Sequence, residues 1–297
     1  LRTRNINETE IETFANLKLS DKGFNETLLS WIGQGITKLE WCFVIEDKND
    51  FQGNIAYGVF DNELVILDIN IKEISEEVLE KLLRDSLKEM KSEGFKRVGC
   101  HIYSDKNAFE KYVQTFIKVG FDVTQEKKSF VWEKGNYINK ISEKLFLKSL
   151  QEVNSEEYIN AIEQVTEGTL DSDDLECIGE FGSKQAAINY FNLLKDIHFD
   201  NNWWKLAYTR DDELIGLVVP QKLNDDVGAI NYIGVVPAKR GRGYVKDLII
   251  EGIRILNENG IKKVIADIDV KNYPLEKALI EEGFRMDCSM LVLKLDL

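Results

Sequence analysis

The chain states one plan twice, and this repetition constrains its fold more than any other feature. Trp41-Cys-Phe-Val-Ile-Glu, followed by Gly53-Asn-Ile-Ala-Tyr-Gly, is matched by Trp204-Lys-Leu-Ala-Tyr-Thr, followed by Gly216-Leu-Val-Val-Pro. The Trp-to-Gly spacing is 12 residues in both passages (53 − 41 and 216 − 204). Further on, Glu93-Gly-Phe-Lys-Arg-Val-Gly-Cys-His-Ile102 is matched by Asn259-Gly-Ile-Lys-Lys-Val-Ile-Ala-Asp-Ile268. Each passage leads through an asparagine, Asn107 or Asn272, to a helical pattern and a Gly-Phe pair, Gly120-Phe121 or Gly283-Phe284. Solenoid repeats run roughly 20–50 residues, so this period is far too long for one. Strand and helix patterns alternate in each copy. The chain therefore predicts a mixed α/β fold: two tandem domains, each with a sheet flanked by helices.

The second copy contains a device that the first lacks. Its run is Ile233-Gly-Val-Val-Pro-Ala-Lys-Arg240-Gly241-Arg242-Gly243-Tyr244. The β-branched stretch from Ala229 to Val236 predicts a strand, and Pro237 ends it. A basic, glycine-rich turn follows. Val245, Leu248, Ile249, Ile253 and Leu256 then mark one face of a helix that Gly260 closes. Unpaired N–H groups at a helix start, reinforced by the helix dipole, attract anions, and glycine lets a phosphate approach the backbone. The spacing is not Gly-x-x-x-x-Gly-Lys-Ser/Thr. A dinucleotide fingerprint would need a third glycine at Lys246.

The run resembles the signature of the GNAT acetyltransferases, in which a strand ending in V-x-P is followed by R/Q-x-x-G-x-G/A and a helix. Here it reads Val235-Val-Pro237, then Arg240-Gly-Arg-Gly243-Tyr-Val245, with Val245 where the pattern has a small residue. The strand pattern from Lys262 to Ile268, Asn272 and Gly283-Phe284 resembles the last block of the same family. The resemblance implies a mostly antiparallel mixed sheet in each copy, with acetyl-coenzyme A as co-substrate. It places the pyrophosphate on the turn, through Arg240, Gly241, Arg242, Gly243, Tyr244 and Val245. It places the thioester carbonyl on the motif strand around Ile233 and Val235, and it has Asn272 reach the coenzyme. The family's usual general acid is a tyrosine four residues before the Gly-Phe pair, and that position holds Leu279.

The expected division is residues 1–136 for a degenerate first copy and 137–297 for the copy with the motif, the seam lying at 134–140. No Pro/Ser-rich linker separates them. At the place of the glycine turn the first copy has Ser75, Glu76 and Glu77. Ser75 can cap the helix, and the two carboxylates suit its dipole and would repel a pyrophosphate. The alternative is an unusual turn that still binds.

For the base, Asp267 and Asp269 are the catalytic candidates, because alternation puts both on one face of their strand. Asn231 and Tyr232 are further options. The acidic loop from Thr169 to Asp174 meets a cationic substrate or is simply solvated. Trp203 and Trp204 read as core, since Trp41 holds the matching place in the first copy.

Net charge is −14 and the pI about 4.8, which excludes a basic footprint for nucleic acid or an anionic membrane. Such a field draws a cationic amine, or serves solubility alone. No apolar run approaches the ~20 residues that cross a bilayer, and no secretion leader is visible. Cys42, Cys100, Cys177 and Cys288 form no Cys-x-x-Cys pair, and with two histidines a metal site is not expected. Reduced, mostly buried thiols and a cytoplasmic location are. Cys100 and His101 are strand neighbours and point to opposite faces. The expected function is transfer of an acetyl group to the amine of a small acceptor. The alternative is a coenzyme-A-binding regulatory or scaffold protein without turnover. The sequence leaves the oligomeric state open.

Overall fold

The computed structural model describes residues 1–17, 23–60, 63–73, 75–133 and 144–297. The expected seam at 134–140 lies outside them. In chain order the first copy contributes β1 (Arg2–Asn5), α1 (Ile11–Ala15), α2 (Phe24–Gly33), β2 (Cys42–Asp47), β3 (Asp50–Phe60) and β4 (Glu63–Ile71). It continues with α3 (Glu76–Ser92), β5 (Arg97–Tyr103), α4 (Phe109–Val119) and β6 (Asp122–Glu133). The second contributes β7 (Phe146–Ser149), α5 (Ser155–Thr166), α6 (Ser172–Phe181), α7 (Ser183–Ile197), β8 (Lys205–Tyr208) and β9 (Leu214–Lys222). It ends with β10 (Val227–Val235), α8 (Tyr244–Glu258), β11 (Lys263–Asp269), α9 (Tyr273–Glu281) and β12 (Arg285–Asp296). Among the described residues no helix is long and apolar enough to cross a membrane.

The chain divides into two compact units, and they do not follow chain order throughout. One comprises Leu1–Glu126 with Met290–Leu297; the other is Lys127–Ser289. The division at 136/137 follows the order of motifs along the chain, whereas the compact units follow strand pairing.

In the first unit β1 to β4 pair antiparallel in sequence order, and β4 runs parallel to β5. The other side of β5 takes the end of β12, from Met290 opposite Tyr103 to Asp296 opposite Arg97. Strand β2 is buried on both faces and opens on the unbroken apolar run Cys42-Phe-Val-Ile45, and β3 is buried on both faces from Gly53 to Gly58, Asn54 included. The amphipathic α3 lays Leu79, Leu82, Leu83, Leu87 and Met90 on the sheet, where they meet Phe43, Tyr57, Val98 and Leu293.

In the second unit β7, β8, β9 and β10 pair antiparallel in that order. Strand β10 runs parallel to β11, which pairs antiparallel with residues 127–133 of β6. Leu248, Ile249, Ile253 and Leu256 of α8 pack with Trp132, Val218 and Val264. On another face Trp204 is fully buried among Tyr158, Phe191 and Phe199, the core role expected of it.

Cys42 and Cys100 are buried, but Cys177 is exposed and Cys288 half-buried, so the thiols are less hidden than expected. Burial pushes the Cys100 thiol up to about 12, and His101 is exposed on the opposite face.

Candidate acyl-transfer site

The second unit opens where β10 and β11 part. They pair only at Val227–Lys263, Gly228–Val264 and Ala229–Ile265, although β10 runs on to Val235 and β11 to Asp269. A register shift between Ile230 and Tyr232, opposite β9, helps turn β10 away.

Ladder parity then decides which backbone groups face the gap. The Val236 N–H donates to the Ile215 carbonyl (2.9 Å), so Val236, Gly234 and Tyr232 are the residues bonded to β9. The N–H and C=O groups of Ile233 and Val235 therefore project toward β11, beyond the end of its ladder. Gly234 is fixed by close approach: a Cβ there would sit 2.7 Å from the Cβ of Val165.

The turn after Pro237 is a second donor set. Gly241 (φ +73°) and Gly243 (φ +83°) are left-handed, and Gly243 is the N-cap of α8 without a side-chain cap. The Lys246 N–H bonds to the Gly243 carbonyl (3.1 Å). Among the described residues the N–H groups of Gly241, Arg242, Gly243, Tyr244 and Val245 have no acceptor. Gly241, Arg242 and Gly243 are exposed, while Tyr244 and Val245 rest on the core. Lys239 pairs with Glu213 (2.5 Å) and Lys246 with Glu281. The exposed Arg242 side chain has no hydrogen bond or ion pair among the described residues, its charge acting only at longer range on Glu213.

The Arg240 guanidinium is taken up by backbone carbonyls. Its Nε donates to the Val235 carbonyl (2.9 Å), Nη1 to Gly168 (3.2 Å), and Nη2 to Val165 (2.9 Å) and Glu167 (2.7 Å). The guanidinium closes the C-terminal end of α5 and ties it to the turn. Replacing Arg240 with alanine removes four charge-assisted hydrogen bonds, and water reaches only part of the stranded carbonyls. The expected cost is about 2 kcal/mol, read as a lower urea midpoint at unchanged slope. Lysine restores little of it, because one ammonium cannot span the four acceptors.

The other predicted residues lie along β11 and after it. Asp267 is exposed, and Asp269 is 1% exposed. Asp269 Oδ2 accepts from the Ser172 N–H (3.2 Å) and hydroxyl (2.7 Å), and Oδ1 from the Lys271 N–H (2.8 Å). It thereby pins the start of α6 to the end of β11. Asn272 is the N-cap of α9, its oxygen accepting from the Leu275 N–H (3.3 Å), which leaves its amide NH2 group for a ligand. Leu279 is buried at 1% exposure in the core.

Sequence reasoning missed α6. The stretch read as an acidic loop is the cap and first turn of this helix: Asp171 is its N-cap and accepts from the N–H groups of Asp173 (3.0 Å) and Asp174 (3.3 Å). The signal available was Asp171-Ser-Asp-Asp, an N-cap residue with acid in the first turn. Ser183 is the first residue of α7, and its hydroxyl donates to Glu163 (2.7 Å).

The first unit repeats the parting strands, and among its described residues the start of α3 is capped rather than open. Strands β4 and β5 pair only over Leu64–Ile66. The hydroxyl of Ser75 accepts from the Val78 N–H (3.4 Å) at the start of α3, and Glu76 and Glu77 fill the first turn. The ammonium of Lys106, which follows β5, donates to the Ile69 carbonyl of β4 (2.8 Å).

Residues 173–284 match the family model described as acetyltransferase (GNAT) family. No curated protein sequence matches the chain significantly. Among solved structures, it is similar to a GCN5-related N-acetyltransferase from Sphaerobacter thermophilus, with TM-score 0.72 and 12% identity over 99% of this chain and 95% of that one. It is also similar to a tandem GNAT protein from the clavulanic acid biosynthesis pathway, with TM-score 0.62 and 9% identity over 99% and 98%. A third is a GCN5-related N-acetyltransferase from Kribbella flavida, with TM-score 0.56 and 11% identity over 90% and 94%. The parted strands, the uncapped glycine turn and the comparisons agree: residues 173–284 match the acetyltransferase (GNAT) family model, and the chain as a whole shares the fold of the GNAT structures it resembles, a tandem one among them.

Proposed function

We propose that the protein transfers an acetyl group from acetyl-coenzyme A to the amine of a small acceptor, and that the second unit does so. The observation that carries this reading is the pair of adjoining donor sets. The N–H groups of Ile233 and Val235 suit a thioester carbonyl in the gap, where they would stabilise the oxyanion that forms on attack. The five N–H groups from Gly241 to Val245, with Arg242, suit a pyrophosphate. When bound, acetyl-coenzyme A supplies the activated acyl group; the residues hold it, polarise its carbonyl and orient the amine. The capped, acidic start of α3 supports a first unit that takes no coenzyme. The net charge of −14 suits a cationic acceptor.

Calorimetric titration of the whole chain with acetyl-coenzyme A is expected to give one site per chain. Two sites would overturn the assignment of the first unit, and no binding would overturn the reading as a whole. A second reading, coenzyme A binding without turnover, is favoured by the buried Leu279 where the family has an acid. Release of free thiol in the presence of primary amines separates the two.

A further inference from the structure

Elements α6, α7 and β10 bring together a carboxyl and two phenols that the acyl-transfer reading above leaves unused. We propose that Asp174, with the phenol oxygens of Tyr190 and Tyr232, binds the ammonium group of a primary aliphatic amine, and that Asp174 accepts its proton. The proposal rests on the acyl-transfer reading above.

Three carboxylates stand at the start of α6, and two are committed. Asp171 caps the helix, and Asp173 pairs with Lys127 (3.4 Å). Asp174 accepts one hydrogen bond at Oδ2, from the Thr169 hydroxyl (2.9 Å), and its Oδ1 has none among the described residues. It is half-buried. The rings of Tyr190 on α7 and Tyr232 on β10 lie 4.6 Å apart, centroid to centroid. Neither hydroxyl has a hydrogen-bond partner among the described residues.

These groups share one electrostatic environment. Burial first, then the Asp171 charge, lifts the Asp174 carboxyl to about 7; Asp173 adds to the rise, and Thr169 and Lys127 oppose it. Burial and then the Asp174 charge hold both phenols well above their usual range, with Asp171 adding to both and Arg240 opposing at Tyr232. An ammonium has three N–H donors and no acceptor, and one carboxylate oxygen and two phenol oxygens stand uncommitted to receive them. The place also fits. Tyr232 directly precedes Ile233, whose N–H faces the gap. Ser172, two residues before Asp174, is held by Asp269 at the end of β11.

The proton balance closes. The carboxylate of Asp174 takes one proton from the ammonium, and the freed lone pair forms the C–N bond to the acyl carbon. The C–S bond breaks, its electron pair leaves on sulfur, and the thiolate takes the second proton of the nitrogen. The products are the amide, the free thiol and protonated Asp174, so no tyrosine at position 279 is needed. A base that titrates near 7 is matched to neutral pH.

The test begins on the whole chain without acyl donor. Carbon-13 NMR of the aspartate carboxyls is expected to show one group titrating near 7 that disappears in Asp174→Asn. Propylamine hydrochloride should lower its titration point, because a bound cation favours the carboxylate, and 1-propanol should not. Acetyl-coenzyme A affinity should stay within about threefold in Asp174→Asn, while kcat/KM for the best primary amine of a screen falls by about 100- to 1,000-fold. The wild-type profile should rise with pH through about 7, as Asp174 loses its proton, and the variant should lack that rise. The absence of such a carboxyl, no response to propylammonium, or an unchanged profile in the variant each overturns the proposal. Loss of coenzyme binding by the wild type would instead overturn the acyl-transfer reading.

Discussion

Removing residues 290–297 is expected to unfold the first unit. That segment belongs to it rather than to the unit that precedes it in the chain. Seven residues of β12 pair with β5, from Met290 to Asp296. Met290, Val292 and Leu293 are at most 4% exposed. Burying side chains of this size contributes about 1.5–3 kcal/mol each, or about 5–9 kcal/mol for the three. A domain has roughly 5–15 kcal/mol of stability in total. The deletion also leaves β5 without a neighbour on one side, exposing unpaired backbone groups and Val98 and Cys100 to water. Hydrogen exchange at residues 97–103 reads the outcome. Rapid exchange there in the shortened chain is expected, as against slow exchange in the full one. The variant Leu293→Asp, which keeps the chain length and places a charge in the core, should reproduce it. Protected amides in both variants would mean that β5 is held by other contacts. The same logic applies to any attempt to express residues 137–297 alone. Such a piece lacks residues 127–133, which pair with β11 and bury Phe130, Val131 and Trp132 in the second unit.

This pairing was not legible in the sequence, and the reason is physical. The last strand of each copy carries a short continuous apolar run, Phe130-Val-Trp132 in one and Met290-Leu-Val-Leu293 in the other. Such a run shows that a strand is buried without showing which sheet receives it. The duplication was legible because glycines and aromatics punctuate it at matching spacings. The donor turn was legible for the same reason: Gly241 and Gly243 stand where only glycine takes a left-handed backbone cheaply. Placing Arg240 at the pyrophosphate followed the family signature, which does not show that the carbonyls of Val165, Glu167, Gly168 and Val235 lie within its reach. Helix α6 was missed because it has no buried residue and contains Gly179, so it shows little of the apolar face by which helices are recognised.

Glutamate at position 243 is expected to abolish coenzyme binding while the fold stands. Gly243 is exposed, and a Cβ there meets nothing within 4 Å, so the substitution creates no clash. Its φ of +83° is left-handed, and an L-residue in that region costs about 1–2 kcal/mol. A carboxylate at the N-cap also suits the dipole of α8, which offsets part of that strain. The helix is further held by Leu248, Ile249 and Leu256, each fully buried. The pyrophosphate meets the opposite balance. A negative charge about 4 Å away, at an effective dielectric between 20 and 80, repels each phosphate charge by about 1–4 kcal/mol. Any relaxation of the strained turn also turns its N–H groups from their common target. Together these should weaken acetyl-coenzyme A binding by at least about 100-fold, at about 1.4 kcal/mol per tenfold. Gly243→Asn is the matched control. Asparagine tolerates the left-handed region and adds no charge, so it should keep most of the affinity and a similar melting temperature. If the glutamate variant binds within about threefold of the wild type, the pyrophosphate does not sit on this turn, whereas equal losses in both variants would assign the effect to backbone strain rather than charge.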